Sequence, residues 1–151
     1  MTRPSIPRIV VAMIWCDGQL LLQLRDFRAE IADPGEWGFF GGHLEPGEAS
    51  ENGLRRELLE ELGWAPRALQ PLGSFDAEEG RHIIGYCGRR PAPVDTLVLG
   101  EGQELGAFTL SELSTGSAFS RRWNRYFSLT AITRHALQLW CGPLTPGGTT
   151  R

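Results

Sequence analysis

The chain lacks an excess of positive charge, and this limits the partners it can have. Its 151 residues include 15 basic and 18 acidic side chains, for a formal net charge of −3. Proteins that bind nucleic-acid polymers or anionic membranes through their overall charge have a basic surface, so we expect neither partner. A small phosphate-bearing ligand is compatible with this balance, because a bound divalent cation can reverse the local electric field.

Cysteine and histidine are also scarce. The three cysteines, Cys16, Cys87 and Cys141, are odd in number and widely spaced. We therefore expect free thiols in a reducing compartment and no disulfide framework. His43 and His82 do not stand at the spacing of zinc ligands, so the sequence does not predict a zinc centre.

Long apolar runs, repeats and linker-like stretches are absent as well. The apolar run at 9–15 is too short for a membrane span, which needs about 20 residues, and no signal-peptide cleavage pattern follows it. The length of 151 residues predicts a single domain over 1–151. Without a predicted span or signal peptide, we expect this domain to be cytoplasmic. Prolines predict a loose arm at 1–7, and prolines with glycines predict a flexible tail at 142–151.

What the sequence does contain is a series of short apolar segments around one central helix. Residues 9–15 and 19–24 are apolar, and the Asp17-Gly18 pair between them predicts a tight hairpin turn. Apolar spacing after Ser120 predicts a C-terminal helix over about 121–140. The pattern indicates an α+β fold or a mixed-sheet sandwich. Further strands are expected at 37–40, 69–75, 81–87, 96–99 and 107–109, with a turn or short helix from 110 to 113.

The central helix, which ends at Gly63, carries an apolar stripe beside an acidic one. On a helical wheel the apolar stripe is expected to pack on the sheet. Gly53 lies on the acidic side, although glycine weakens a helix by roughly 1 kcal/mol relative to alanine, so we expect another group to approach closely there. The apolar stripe comprises Leu54, Leu58 and Leu62, and the acidic stripe comprises Glu57, Glu60 and Glu61.

Three carboxylates on one helical face repel one another unless a positive charge lies among them. Arg56 can neutralise only part of this charge, whereas Mg²⁺ favours carboxylate and water oxygens and often binds phosphates as well. A solvated acidic face is the alternative interpretation. The preceding Gly41-Gly42 and Pro46-Gly47 pairs favour the metal interpretation, because they permit a tight backbone where ions or phosphates can be held.

The spacing of these residues resembles the Nudix box. That pattern is Gly, five residues, Glu, seven residues, Arg-Glu, an apolar residue, any residue, Glu-Glu, any residue, Gly and an apolar residue. Two departures stand out: Trp64 is bulkier than the usual aliphatic residue at the last position, and Phe40 replaces the proline that many nucleotide-directed members carry before Gly-Gly. The matching residues are Gly42, Glu48, Arg56, Glu57, Leu58, Glu60, Glu61, Gly63 and Trp64.

The resemblance implies a Nudix-type α/β/α sandwich with a central mixed sheet, and a metal-dependent reaction. In Nudix hydrolases the box glutamates hold Mg²⁺ or Mn²⁺ that bridges a diphosphate, and water attacks phosphorus. Glu57 and Glu61 are thereby implied as metal ligands, and Glu60 as a further ligand or as the residue that orients the water. The Gly42 carbonyl is implied as another ligand.

The resemblance also implies roles outside the glutamate cluster. Glu48 and Arg56 are expected to form a structural ion pair between loop and helix. The family draws its general base from different places, and Glu101 stands where MutT-type members supply a glutamate from a loop. Glu104 is the near alternative for the base, and Glu78 and Glu79 are more distant ones. For each of these candidates, a solvated loop acid without a catalytic role is the other interpretation.

Three further residues are candidates for substrate binding. Arg25 ends the second strand, where similar enzymes place an arginine that contacts phosphate; an exposed strand-end charge is the alternative. Phe39 and Arg81 are candidates for the border of a base pocket, although Phe39 also suits the core.

The expected function is hydrolysis of a nucleoside triphosphate, ordinary or oxidised, to monophosphate and pyrophosphate. Hydrolysis of ADP-ribose or a sugar nucleotide is the first alternative, but Pro71 lies too early for the proline typical of ADP-ribose members. A Nudix-fold regulator without catalysis is the second, and the intact glutamate cluster disfavours it. The expected partner is a small nucleotide, and a homodimer is compatible with the sequence.

Overall fold

The longest strand, β1 (Arg8–Cys16), is apolar on both of its faces. In the computed structural model, which describes residues 6–31 and 33–142, Val10, Ala12 and Ile14 are fully buried on one face. Val11 and Met13 are buried on the other. A strand buried on both faces must be covered by a layer on each side, and this constraint defines the architecture.

The sheet that contains β1 is mixed and has seven strands. β1 pairs antiparallel with β2 and β4 and parallel with β6, while β5 pairs with β6, and β3 and β7 pair with β2. The strands are β2 (Gln19–Leu24), β3 (Trp37–Gly38), β4 (Phe40–His43), β5 (Gln70–Asp76), β6 (His82–Arg89) and β7 (Glu104–Phe108). A separate hairpin consists of β8 (Ser117–Ser120) and β9 (Arg125–Ser128).

Helices cover both faces of the sheet. The central helix α1 (Ser50–Leu62) packs its three leucines on the face of β1 that carries Val10. The C-terminal helix α3 (Ala131–Cys141) packs on the opposite face, together with the β8–β9 hairpin and the short helix α2 (Leu110–Leu113). The predicted α+β sandwich with a central mixed sheet is therefore confirmed.

Glycine and aspartate determine two predicted chain reversals. Asp17 and Gly18, between β1 and β2, have φ angles of 50° and 77°, the left-handed pair that a tight hairpin turn requires. Gly63 ends α1 with a φ of 67° and donates its backbone N–H to the Leu59 carbonyl, a common way to end a helix. Both turns agree with the prediction.

The helix predicted over 121–140 is wrong in its first half. Residues 121–124 form the turn of the β8–β9 hairpin, with Asn124 at a φ of 54°. The Ser120 hydroxyl accepts the Trp123 N–H within this turn and does not cap a helix. The helix begins at Ala131, where Thr130 accepts the Thr133 N–H as N-cap. The spacing of the aromatic residues is compatible both with the predicted long helix and with the observed hairpin and shorter helix.

The strand predicted at 96–99 is also wrong. The N–H groups of Val98 and Gly100 donate to the carbonyls of Leu62 and Glu61, so this segment satisfies the free carbonyls at the end of α1 instead of pairing with a strand. The strand expected at 107–109 is longer than predicted and begins at Glu104, inside the segment that had been taken for a loop.

The predicted terminal segments lie mostly outside the described residues. Of the arm at 1–7, Pro7 is described and its carbonyl accepts the His82 N–H. Of the tail at 142–151, only Gly142 is described, as the residue that ends α3. The three cysteines are free thiols. No helix within 6–31 or 33–142 is long and apolar enough to cross a membrane.

Gly53 is closely packed against another part of the protein. A Cβ atom at this buried helical position would lie 2.2 Å from Leu44 Cδ2 and 2.9 Å from Glu48 Oε1. The loop before α1 therefore lies directly on the helix, and the close approach predicted from the sequence comes from that loop.

Replacing Gly53 with alanine should destabilise the fold, although alanine is the better helix former. Helix propensity favours alanine by about 1 kcal/mol, whereas overpacking typically costs about 1–3 kcal/mol, and Leu44 has to move to relieve it. Thermal unfolding of Gly53→Ala should give a lower Tm than the wild type. Asn52→Ala, at the exposed neighbouring position, is the control and should not lower Tm; a higher Tm for Gly53→Ala would contradict this account.

Candidate active site

All of the predicted metal, catalytic and substrate-binding residues line one cleft. The cleft has a volume of about 400 Å³ and lies between α1, the end of β2, β4, the loop before β7 and the start of α3. The predicted residues that line it are Arg25, Phe39, Gly42, Glu57, Glu60, Glu61, Arg81 and Glu101. The fold therefore brings together residues that lie as far apart in the sequence as Arg25 and Glu101.

Glu61 is the most deeply buried acid of the cleft. It is 2% exposed, and its carboxylate accepts the Gln23 side-chain N–H at 2.8 Å and the Gly41 backbone N–H at 3.0 Å. Burial, with a smaller contribution from the nearby Glu57 and Glu101 carboxylates, raises the pKa of Glu61 to about 8 in spite of these two hydrogen bonds. The geometry fixes the carboxylate while the surroundings disfavour its charge.

Glu57 lies against the glycine turn. A Cβ atom at Gly42 would stand 2.6 Å from the Glu57 carboxyl carbon, so any other residue at position 42 would displace this carboxylate. Arg56 donates to Glu57 at 3.1 Å. Burial raises the pKa of Glu57, and the contact with Arg56 opposes that rise.

Glu48 and Arg56 form the ion pair expected between loop and helix. The Arg56 guanidinium donates to both carboxylate oxygens of Glu48, at 2.9 and 3.0 Å. Hydrogen bonds from Arg56 are the main reason why the pKa of Glu48 falls to about 2. Arg56 also lies 3.5 Å from Glu60, whose side chain is 58% exposed. A bidentate pair fixes the orientation of both side chains, so the loop is held on the helix.

The donor chemistry of the cleft fits a hard divalent cation. Among the described residues no three carboxylate, imidazole or thiol groups stand close enough together, as the side chains lie, to hold a metal ion. Instead, Glu57 and Glu60 turn toward Arg56. Glu61 has no such cationic partner in the described part of the chain. Several crowded carboxylates, only partly neutralised by Arg56, form an oxygen-rich set of the kind that Mg²⁺ favours.

The loop that carries Glu101 is fixed on the end of α1. Gly100 donates its N–H to the Glu61 carbonyl at 2.7 Å, and a Cβ atom at Gly100 would lie 2.3 Å from the Glu60 carbonyl oxygen. Gln103 donates its backbone N–H to the last carbonyl of β2 at 2.8 Å. These contacts hold Glu101 beside the glutamates of the helix.

The alternative acids lie elsewhere. Glu104 is in β7, where its carboxylate accepts the Ser120 hydroxyl and, at 3.1 Å, the Arg121 N–H. Glu78 and Glu79 belong to an exposed 3₁₀ turn. None of the three lines the cleft, so the geometry favours Glu101.

The substrate-binding candidates occupy the rim and floor of the cleft. Arg25 and Arg81 line it from the end of β2 and the start of β6, and the Arg81 Nε–H donates to the Glu78 carbonyl at 3.2 Å. Phe39 is only 7% exposed and packs within the core, so its ring contributes to the floor more than to an open stacking surface.

Sequence reasoning missed several polar residues of this site. Gln23 was the easiest to find, because it is polar and stands between Leu22 and Leu24 in a buried strand; it contacts the site through Glu61. Asp33, Thr130 and Thr133 line the cleft itself. Thr130 and Thr133 come from the start of α3, which the sequence had placed ten residues too early.

Comparison with known proteins now decides the family. Residues 6–129 match the family model described as the NUDIX domain. The chain is a member of the Nudix family. The match covers most of the chain, and it includes β1 to β9 as well as the box itself.

Individual Nudix relatives give narrower or more distant matches. Nucleoside triphosphatase NudI of Escherichia fergusonii is 48% identical over 56 residues, which span 36% of this chain and only 38% of that protein. The structure of the MutT NUDIX hydrolase from Burkholderia pseudomallei is 27% identical, with a TM-score of 0.66 over 90% of this chain and 98% of that one. The NUDIX domain of Shewanella oneidensis NrtR, complexed with ADP ribose, is similar in fold, with a TM-score of 0.69 at 15% identity over 91% of this chain and 87% of that one.

The buried Glu61 should make the stability of this Nudix protein depend on pH. The folded-state pKa of about 8 lies above the ordinary value of 4.5, so the contribution is fully present below pH 4.5 and is lost as the pH rises through 8. The change is on the order of 3–5 kcal/mol. Denaturant unfolding in EDTA should therefore show falling wild-type stability over this window and a flatter profile for Glu61→Gln.

Glu60→Gln is the matched control for this experiment, since Glu60 is on the same helix but largely exposed. Its profile should run parallel to that of the wild type. Equal slopes for the wild type and Glu61→Gln would contradict a burial-driven shift.

Proposed function

We propose that the protein is a Mg²⁺- or Mn²⁺-dependent pyrophosphohydrolase that cleaves a nucleoside triphosphate to monophosphate and pyrophosphate. The observation that carries this proposal is the meeting of an acidic helix face with two arginines in one cleft. An acidic surface alone repels phosphates, and an arginine pair alone does not bind a hard cation. The combination suits a ligand that consists of phosphate and cation together.

Glu57, Glu60 and Glu61, with the Gly42 carbonyl, would hold the cation. When bound, it supplies charge neutralisation at the phosphates and acidifies a coordinated water. The residues of the chain prepare this site in advance: Gln23 and Gly41 keep the Glu61 carboxylate in one orientation. The absence of a side chain at position 42 leaves Glu57 room beside the turn.

Arg25 and Arg81 would bind the phosphates that extend beyond the cation. A guanidinium presents several N–H donors in a fixed plane that matches phosphate oxygens. Thr130 and Thr133 also line the cleft and would add polar groups near the bound nucleotide. Binding of this kind orients the diphosphate toward the glutamates, which is the main requirement of phosphoryl-transfer catalysis.

Glu101 would accept the proton of the attacking water. It is the acid outside the box that lines the cleft from a loop fixed on α1. Glu60, which is exposed and bound loosely to Arg56, would orient the same water. A positioned carboxylate of this kind acts as a general base when it lies within hydrogen-bond reach of the water.

The nucleoside triphosphate is favoured because 56 residues of the chain are 48% identical to part of a nucleoside triphosphatase. ADP-ribose is the second candidate, since the fold is shared with a NUDIX domain that was crystallised with ADP ribose. A regulator without catalysis would not need three crowded glutamates in a cleft. In all three candidate functions the partner is a small nucleotide.

A hydrolysis screen with Mg²⁺ tests this proposal. The panel contains the common and oxidised nucleoside triphosphates, ADP-ribose and sugar nucleotides, and pyrophosphate release identifies the reaction. We expect turnover of at least one triphosphate, abolished by EDTA and lowered by orders of magnitude in Glu57→Gln. Turnover of ADP-ribose alone would select the second candidate, and tight nucleotide binding without any turnover would indicate a regulator.

Glu51→Gln is the matched control, because Glu51 lies in the first turn of the same helix and pairs with Arg55 outside the cleft. Its turnover should stay near that of the wild type. If Glu57→Gln were equally active, the assignment of the metal ligands would be wrong.

Glu101→Gln should lower kcat by about 10²–10⁴-fold, the usual contribution of a general base, with a smaller effect on KM. Glu79→Gln, in the exposed 3₁₀ turn, is the control. A kcat of Glu101→Gln equal to that of Glu79→Gln would assign the base to another residue.

A further inference from the structure

A second cleft lies at the other end of the sheet and shares no lining residue with the first. Its volume is about 1020 Å³. Ile9 and Val11, near the start of β1, line the catalytic cleft, whereas Trp15, near the end of the same strand, lines the second one. We call it the tryptophan groove, after Trp15 and Trp64.

The two tryptophans form walls that belong to different layers of the protein. Trp15 packs against the apolar cluster on the α3 side of the sheet, and Trp64 packs against the cluster on the α1 side. The Arg90 guanidinium lies 4.7 Å from the centre of the Trp64 ring, so Arg90 packs against one face of this indole. Trp64 is also the residue at which the sequence departs from the usual Nudix box.

The groove is held in shape by contacts within the protein. Arg55 donates to the carbonyls of Pro66 and Arg67, at 2.6 and 3.1 Å, and thereby holds the segment after Trp64 on α1. A Cβ atom at Gly88 would lie 2.7 Å from Pro66 Cγ, so the same segment lies directly on β6. Such packing gives a preformed surface and lowers the entropic cost of ligand binding.

The groove has an excess of positive charge. Arg55, Arg67 and Arg89 line it, and no acidic residue does. Arg55 is paired with Glu51, but among the described residues neither the Arg67 nor the Arg89 guanidinium forms an ion pair. Arg89 is also the register partner of Trp15 in the parallel β1–β6 pair, so a cation and an aromatic ring stand side by side.

We propose that the tryptophan groove is a second ligand site, which binds a nucleotide without a divalent cation. Aromatic rings stack on nucleobases, and free guanidinium groups bind phosphate oxygens. The volume lies at the upper end of the range typical of small-molecule sites. The site is independent of the proposed hydrolysis, because none of its residues belongs to the catalytic cleft.

Removal of divalent cations separates the two sites. In EDTA the catalytic cleft presents its uncompensated glutamates and repels phosphates, whereas the tryptophan groove keeps its arginines. We expect wild-type protein in EDTA to bind adenosine monophosphate, measured by calorimetry. Arg67→Ser/Arg89→Ser should bind it at least about tenfold more weakly, because both guanidinium groups that are free to bind phosphate oxygens are removed.

Arg121→Ser/Arg125→Ser is the matched control, since it removes the same net charge at exposed positions of the β8–β9 hairpin and should bind normally. Adenosine monophosphate should also slow the alkylation of Cys87, which lines the groove, but not that of Cys141, as measured by peptide mass spectrometry. Each of the following would overturn the proposal: no binding in EDTA, equal loss in both double variants, unprotected Cys87, or competition by inorganic phosphate as strong as by the nucleotide.

The outcome for hydrolysis is read separately. Arg67→Ser/Arg89→Ser should retain wild-type Mg²⁺-dependent turnover of the triphosphate identified in the screen. A protein that binds the nucleotide in EDTA but hydrolyses nothing would refute the proposed function and leave the second site intact. A protein that hydrolyses a triphosphate but binds nothing in EDTA would refute the second site and leave the proposed function intact.

Discussion

The fixed carboxylate of Glu61 is the interaction on which the cleft depends. It lies where the leucine face of α1 meets the acidic face, so the same turn of helix that completes the core also begins the site. Gln23 approaches it from β2 and Gly41 from β4. A carboxylate in this position has little freedom and an unfavourable charge. Under the proposed function, stability is given up locally so that the carboxylate that would bind the cation is already oriented.

Glycine makes the close approaches around this carboxylate possible. Position 41 adopts a φ of 145° and would bring a Cβ atom within 2.0 Å of the Val10 carbonyl, so β4 could not lie on β1 with any other residue there. Position 42 leaves room for Glu57, and position 100 lets the Glu101 loop lie on the last turn of α1. At each of these positions the lack of a side chain leaves room for a neighbouring group. Acids that are distant in sequence can therefore come within reach of one ligand.

The sequence allowed prediction of those parts of the fold that depend on local patterns. The Asp17-Gly18 turn, the leucine stripe of α1 and its end at Gly63 depend on backbone conformation and on helical periodicity, which neighbouring residues determine. The spacing of the box glutamates likewise identified one face of one helix, and the Nudix resemblance supplied the rest of the site. Residues of that site from other elements, such as Gln23 and Thr133, depend on tertiary contacts that no single segment encodes.

The errors have the same origin. The aromatic residues between Ser120 and Trp140 satisfy a helical spacing, but Asn124 adopts a left-handed conformation and divides the segment into a hairpin and a helix. The apolar residues after Thr96 resemble a strand, yet the Leu97 N–H donates to the Val94 carbonyl and the Val98 N–H to the Leu62 carbonyl at the end of α1. In both cases a tertiary hydrogen bond or a turn overrode the local preference.

The attachment of the Glu101 loop to the end of α1 has a mechanical consequence. The N–H groups of Val98 and Gly100 occupy carbonyls of the last helical turn, so this turn cannot unwind without releasing the loop. Local opening would therefore move Glu60, Glu61 and Glu101 as one unit, and it would expose the buried carboxylate to water at the same moment. Under the proposed function, the acids that would act together are also the acids that lose their order together, so partial opening would leave no half-assembled cleft able to hydrolyse a nucleotide.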